Sequence, residues 1–247
     1  MDKIKIALVG YGSMGKEIEK MLDKNEFVVT DIFDEYNLLY EEKNYDFDVA
    51  IDFTTPTSVI KNVEILSKLK KNIVIGTTGW YEKIDYVREL AEKNNICIIW
   101  GSNFSVGMMI YFKAVELLSK LANINEEYDI FAHEFHHKLK KDSPSGTAVS
   151  IGNIILENVA RKSELQIDTS HNQIEPDKLH FTSTRGGYIP GTHTVYLDSF
   201  ADTVEITHRA RSRAGFASGA IKAAKLCKNY KGLHQFSDLM LDLWSKI

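Results

Sequence analysis

Apolar residues fall along this chain in two rhythms, and the change between them divides it. Ile4, Ile6, Ala7, Leu8 and Val9 make a short, nearly continuous apolar run, the pattern of a strand buried on both faces. Ile18, Met21 and Leu22 then recur at helical spacing. The alternation repeats, with strands expected over 27–33, 48–53, 72–75 and 96–100 and helices over 58–69 and 82–93. Five strands alternating with helices predict a Rossmann-type, doubly wound parallel sheet of the α/β class. A helix over 106–121 follows, its Val115, Leu118 and Leu121 spaced to face a core. Beyond it come a strand over 128–132, a helix over 146–159 and three closely spaced strands over 179–184, 193–197 and 203–209. That order predicts a second, α+β domain with a mixed or antiparallel sheet. Helices over 215–226 and 236–244 are expected to pack back on the first domain, which gives 1–106 with 215–247 as one domain and 107–214 as the other.

The turns of the first domain carry its chemistry. Gly10-Tyr11-Gly12-Ser13-Met14-Gly15 joins the first strand to the first helix, where glycines allow backbone to approach a pyrophosphate at a helix N-terminus. Asp34 lies nineteen residues past Gly15 at the end of the second strand, the spacing of a carboxylate that accepts from adenosine ribose hydroxyls. Glu35 follows it and no arginine is near, so a 2′-phosphate is repelled and NADH is expected in preference to NADPH, with Lys16 the nearest feature to soften that preference. Thr54, Gly76-Thr77-Thr78-Gly79 and Gly101-Ser102-Asn103-Phe104 also fall at strand C-termini, where such sheets bind ligands. Gly10, Gly12, Ser13, Met14, Gly15, Asp34, Gly76, Thr77, Thr78, Gly101, Ser102, Asn103 and Phe104 are therefore the expected cofactor residues.

Composition narrows the class. With 247 residues, 44% hydrophobic, 26% charged and a net charge of −4, the chain suits a globular protein with a sizeable core and argues against a nucleic-acid surface. Cys97 and Cys227 lie far apart in apolar segments, the pattern of two buried thiols in a reducing compartment. No run approaches eighteen apolar residues and no leader precedes the first strand, so a cytoplasmic protein without a membrane partner is expected.

The densest chemistry lies at His133-Glu134-Phe135-His136-His137-Lys138-Leu139-Lys140-Lys141-Asp142-Ser143-Pro144-Ser145-Gly146-Thr147-Ala148. Basic donors beside a small-residue turn that opens a helix make a reception site for a small anion, since first-turn N–H groups lack intrahelical partners. His133 to His137 also spells H-E-x-x-H, in which two histidines one helical turn apart hold zinc. The residues before it read as a strand, on which the two histidines would stand about 13 Å apart, so no metal is expected there.

Together these motifs resemble the dihydrodipicolinate (4-hydroxy-tetrahydrodipicolinate) reductase family, nicotinamide-dependent enzymes of the diaminopimelate route to lysine. The signature E-x-H-x-x-x-K-x-D-x-P-S-G-T-A is met by Glu134, His136, Lys140, Asp142, Pro144, Ser145, Gly146, Thr147 and Ala148, and Asn103-Phe104-Ser105-Val106-Gly107, Arg185-Gly186-Gly187 and Glu205-Ile206-Thr207-His208-Arg209 extend the likeness. Phe131, Ala132 and His133 depart from the usual pattern. The resemblance implies that His136 and Lys140 are catalytic, that His137 contacts the substrate, that Gly146 and Thr147 hold a carboxylate, and that the protein is a homotetramer. The substrate would be a small cyclic dicarboxylate that gains charge on accepting hydride. A cation at His136 would stabilise that charge and Lys140 would supply a proton, with Ser145, Gly146 and Thr147 holding a carboxylate. Two other readings share the glycine turn: a related oxidoreductase acting on another small acid, and a non-catalytic dinucleotide-sensing module.

Overall fold

A computed structural model describes residues 2–246 and divides the chain into two compact units, Met1–Val106 with Arg213–Ile247, and Gly107–Ser212. In the first unit, β1 (Ile4–Val9), β2 (Phe27–Phe33), β3 (Val49–Asp52), β4 (Asn72–Ile75), β5 (Cys97–Trp100) and β11 (Gly232–Gln235) form one sheet in the order β11-β5-β4-β3-β1-β2. Every pairing in it is parallel. β3 is buried at all four positions, as its continuous apolar run requires when helices cover both faces. On one face α2 (Val59–Lys68) and α3 (Ile84–Asn94) bury Val59, Val63, Leu66, Val87 and Ala91 against Ala50, Ile73, Ile75 and Ile98. α6 (Ala214–Leu226) packs on β3 and β4 and against α1 (Ser13–Met21), presenting a buried row of Ala217, Ala220, Ala223 and Ala224.

β11 is a sixth strand that the hydrophobic pattern did not predict. Gly232-Leu233-His234-Gln235 offers one apolar side chain and no alternation, and it pairs only with β5 at the sheet edge. The pattern also placed the helix over 82–93 slightly early, because Tyr81–Lys83 forms a 3-10 turn before α3.

In the second unit α4 (Val106–Ile124) and α5 (Gly146–Asn158) cover a five-stranded mixed sheet. Its strands are β6 (Asp129–His136), β7 (Glu164–Gln166), β8 (Lys178–Arg185), β9 (Thr192–Asp198) and β10 (Thr203–Arg209), in the order β10-β9-β6-β8-β7. β9 runs antiparallel to both β6 and β10, while β6, β8 and β7 are parallel. β6 continues four residues past the apolar run that announced it. Ile130, Ala132, Glu134 and His136 all point into the unit and are buried, so the same face changes from apolar to polar along one strand. The departures Phe131 and His133 lie on the opposite face. Phe131 stacks on Tyr196 at 5.0 Å, and His133 bonds Thr182 through Nδ1 and contacts Thr184 at 3.4 Å. They leave Glu134 and His136 untouched for that geometric reason. Among the described residues no helix is long and apolar enough to cross a membrane.

Candidate active site

The glycine turn of the first unit is built for close approach. Gly10 takes φ +88°, and a Cβ there would lie 2.4 Å from the Phe53 carbonyl oxygen, whereas nothing lies within 4 Å of a Cβ placed on Gly12. A cavity of about 1090 Å³ opens beside Gly10, Gly12, Lys16 and Asp34, and a second of about 320 Å³ is lined by Gly12, Ser13, Met14, Thr54, Gly76, Thr77 and Thr78. Asp34 Oδ1 accepts from the N–H groups of Tyr36 and Asn37 at 2.9 Å each, an arrangement that leaves Oδ2 for a ribose diol. Lys61 and Lys68 also line the larger cavity, cations that the sequence spacing did not reveal. The set fits a dinucleotide.

Asp52 at the end of β3 organises the smaller cavity. It is fully buried and accepts from Thr54 N at 3.0 Å, Thr54 Oγ1 at 2.7 Å, Thr77 Oγ1 at 2.8 Å and Asn62 Nδ2 at 2.8 Å. Burial pushes its carboxyl pKa up, opposed by these bonds. Of the residues expected at the cofactor, Gly15, Gly101, Ser102, Asn103 and Phe104 line neither cavity. Phe104 is 2% exposed and packs on Phe236 at 4.9 Å, and Asn103 Oδ1 accepts from Ser105 N.

In the second unit the polar end of β6 meets the N-terminus of α5. Ser145 caps that helix by accepting from Ala148 N at 3.1 Å, while Gly146 is exposed with open space where a side chain would be. Glu134, 0% exposed, ties the elements together. Its Oε1 accepts from Ser145 N at 2.9 Å, Ser183 Oγ at 2.8 Å and Arg185 Nη2 at 2.8 Å, and its Oε2 accepts from Ser145 Oγ. Burial alone would raise its pKa, but bonds from His193, Ser145 and Arg185 overturn that and hold the carboxyl well below the usual range. Arg185 also donates to the Asp142 carbonyl at 2.8 Å and so pins the loop that carries Lys140. Lys140 Nζ pairs with both Asp142 oxygens at 2.8 and 2.9 Å, and half-buried His137 accepts from Lys140 N through its carbonyl at 3.1 Å.

The structure gives His136 a definite resting charge. Burial, opposed by the Glu134 carboxylate but aided by His193, Lys140 and Arg185, lowers its pKa to about 4, so the ring is neutral at neutral pH, a charge state the sequence left open. In the unfolded chain a histidine takes its proton near about pH 6.5. The stabilisation from the neutral ring is therefore complete above that value and is lost as pH falls toward about 4. Urea unfolding followed between about pH 7 and about pH 4.5 should show this loss in the wild type and a shallower slope in His136→Gln.

The H-E-x-x-H motif runs along β6 and out of it, so it has no helical register for a metal. Glu134, His136 and His193 do lie with ligand atoms within 4.8 Å of one another. The Arg185 guanidinium already compensates that carboxylate, so a cation there would meet a positive neighbour. The sequence offered the Arg185-Gly186-Gly187 turn as part of the likeness but gave Ser183, Arg185 and His193 no place at the site, because cross-strand pairing brings them to Glu134 and His136 from distant strands.

Comparison with known proteins agrees with this architecture. The model of the dihydrodipicolinate reductase N-terminus matches residues 4–104 and that of the C-terminus matches residues 107–240. The 4-hydroxy-tetrahydrodipicolinate reductase of Christiangramia forsetii is 36% identical over 97% of this chain and 98% of its own. That of Buchnera aphidicola subsp. Acyrthosiphon pisum is 37% identical over 92% and 83%. A solved dipicolinate-bound dihydrodipicolinate reductase from Paenisporosarcina sp. TG-14 shares the fold, with a TM-score of 0.76 and 22% identity over 95% of this chain and 98% of that one. With both units matched in order and relatives above a third identical over more than nine-tenths of its length, the chain belongs to the dihydrodipicolinate reductase family.

Proposed function

We propose that this chain reduces 4-hydroxy-tetrahydrodipicolinate to tetrahydrodipicolinate in lysine biosynthesis, the activity its relatives are named for, with His136 and Lys140 as its catalytic residues. A nicotinamide nucleotide on the glycine turn supplies hydride when bound. The observation that carries the assignment is the grouping, at one end of β6, of a buried imidazole, a lysine on a pinned loop and the capped N-terminus of α5. A dicarboxylate presents two anions. The first-turn N–H groups of Gly146 and Thr147 receive one of them, with Ser145 holding the turn and His137 at its edge. Lys140 exchanges its weak pairing with Asp142 for the substrate and delivers a proton to the ring as charge develops there. His136 enters neutral and takes up positive charge when the dianion is present, since a nearby anion favours the protonated imidazole. The reaction is tested by mixing the protein, NADH and the condensation product of pyruvate with aspartate semialdehyde and following nicotinamide absorbance. Oxidation only with other small acids, or binding without turnover, would overturn it.

NADH is the preferred nucleotide, with NADPH accepted less well, because Asp34 faces the ribose position. Asp34→Ala removes a charged acceptor worth about 1.5–3 kcal/mol, so the KM for NADH should rise at least about tenfold. The KM for NADPH should change little or fall, and an equal rise in both would remove Asp34 from this role. The exposed sheet face that carries Phe131, Tyr196 and Phe135 supports a homotetramer, checked by light scattering. Two buried free thiols accord with a cytoplasmic location.

A further inference from the structure

The sheet of the second unit carries a row of titratable side chains on its inner face. β-pairing sets Glu134 directly opposite His193 and His193 directly opposite His208, and the Glu134 carboxylate reaches two residues along its own strand to His136. Glu134 Oε2 stands 3.3 Å from Nδ1 of His136, within ion-pair distance but not aligned as a hydrogen bond, and 3.3 Å from Nε2 of His193. The two imidazoles meet edge to face with centroids 5.1 Å apart. His193 is 3% exposed, and its Nε2 also lies 3.3 Å from Ser145 Oγ.

We propose that Glu134 is a positioning residue for His136 in the reduction, fixing its Nδ1–H tautomer through Oε2, and that His193 competes for the same oxygen. The inference rests on the catalytic role given to His136 above. Nδ1 of His136 is buried without an aligned hydrogen bond, and a bare lone pair 3.3 Å from a carboxylate oxygen would be repelled, so the proton sits on Nδ1, a small ring rotation turns it onto Oε2, and Nε2 is the exchanging nitrogen. Nε2 has its own space because residue 191 is glycine, where a Cβ would come within 2.9 Å of it. A carboxylate has about four lone-pair sites. Ser145 N, Ser183 and Arg185 crowd Oε1, and Ser145 Oγ takes part of Oε2, leaving the two imidazoles to share what remains. When His136 gains a proton it draws on Oε2, and His193 falls back on Ser145 Oγ. The other charged or titratable groups facing the pair are Arg185 from β8, Lys140 from the loop and His208 from β10.

Two substitutions should then move the reaction in opposite directions. Glu134→Gln removes the anion that favours protonated His136. It should lower kcat about 100-fold, leave the KM for NADH within about twofold, and move the His136 limb of the pH profile to lower pH. His193→Gln removes the competitor and should move that limb to higher pH. Nitrogen-15 NMR of histidine in the wild type, without substrate, should report His136 as the Nδ1–H tautomer. An Nε2–H tautomer, or shifts of the pH profile in the same direction or none in both variants, would overturn the proposal. Should Glu134→Gln fail to fold, the His193→Gln profile and the tautomer decide it alone. A wild type with no turnover would instead overturn the catalytic reading, which the tautomer measurement does not depend on.

Discussion

Lys140→Ala should lower kcat by about 10²–10⁴-fold, the usual contribution of a positioned general acid, while the affinity for NADH stays within about twofold. Lys140 lies in the unit Gly107–Ser212, whereas the glycine turn that would seat the nucleotide belongs to the other unit. Its loss therefore removes proton delivery and an anion contact without touching the nucleotide's seat. The ion pair with Asp142 does not hold the lysine back, because the Asp142 side chain is 57% exposed and a pair so placed contributes little against a substrate carboxylate. Lys140→Arg keeps the charge but offers no proton at useful pH, so it should restore substrate affinity more than turnover. Steady-state kinetics with nicotinamide fluorescence titration separates the terms, and an equal loss of kcat and NADH affinity would remove the general-acid role.

The parts legible in the sequence are those in which a local rule and the tertiary environment agree. Ile4–Val9 is apolar at every position but Lys5 because both faces of the parallel sheet are covered, and Gly10 must be glycine because Phe53 leaves no room there. Phe27–Phe33 and Thr203–Arg209 were readable for a similar reason, strong β-formers bounded by polar turns. β7 and β11 were not, being three and four residues long with polar side chains, held by backbone pairing to an edge. Within the candidate site, the signature named His136 and Lys140 but carried no information on charge state. That depends on burial and on Glu134, Arg185 and His193, and two of these arrive on β8 and β9. Phe104 shows what position alone leaves out. Its place at the end of β5 suggested a ligand contact, yet an aromatic side chain there is drawn into the core between Phe53 and Phe236.

Arg185→Met should destabilise the second unit by about 3 kcal/mol, toward the low end of the cost of breaking a buried ion pair. Glu134 has no exposure, and the guanidinium is its one permanent cation within ion-pair distance; Ser145 and Ser183 would still donate, which is why the loss is not larger. Because the Glu134 pKa is depressed in the folded protein, this stabilisation is complete above the unfolded glutamate value of about 4.3 and is lost as pH falls below it. The same substitution frees the Asp142 carbonyl, so the Lys140 loop loosens and the KM for substrate should rise as well. Replacing both partners, as Glu134→Met with Arg185→Met, removes the stranded charge and should recover most of the stability but none of the activity. Urea unfolding of the two single variants and the double variant completes the cycle. A loss under about 1 kcal/mol for Arg185→Met alone would mean that the serine donors, not the guanidinium, hold the carboxylate in place.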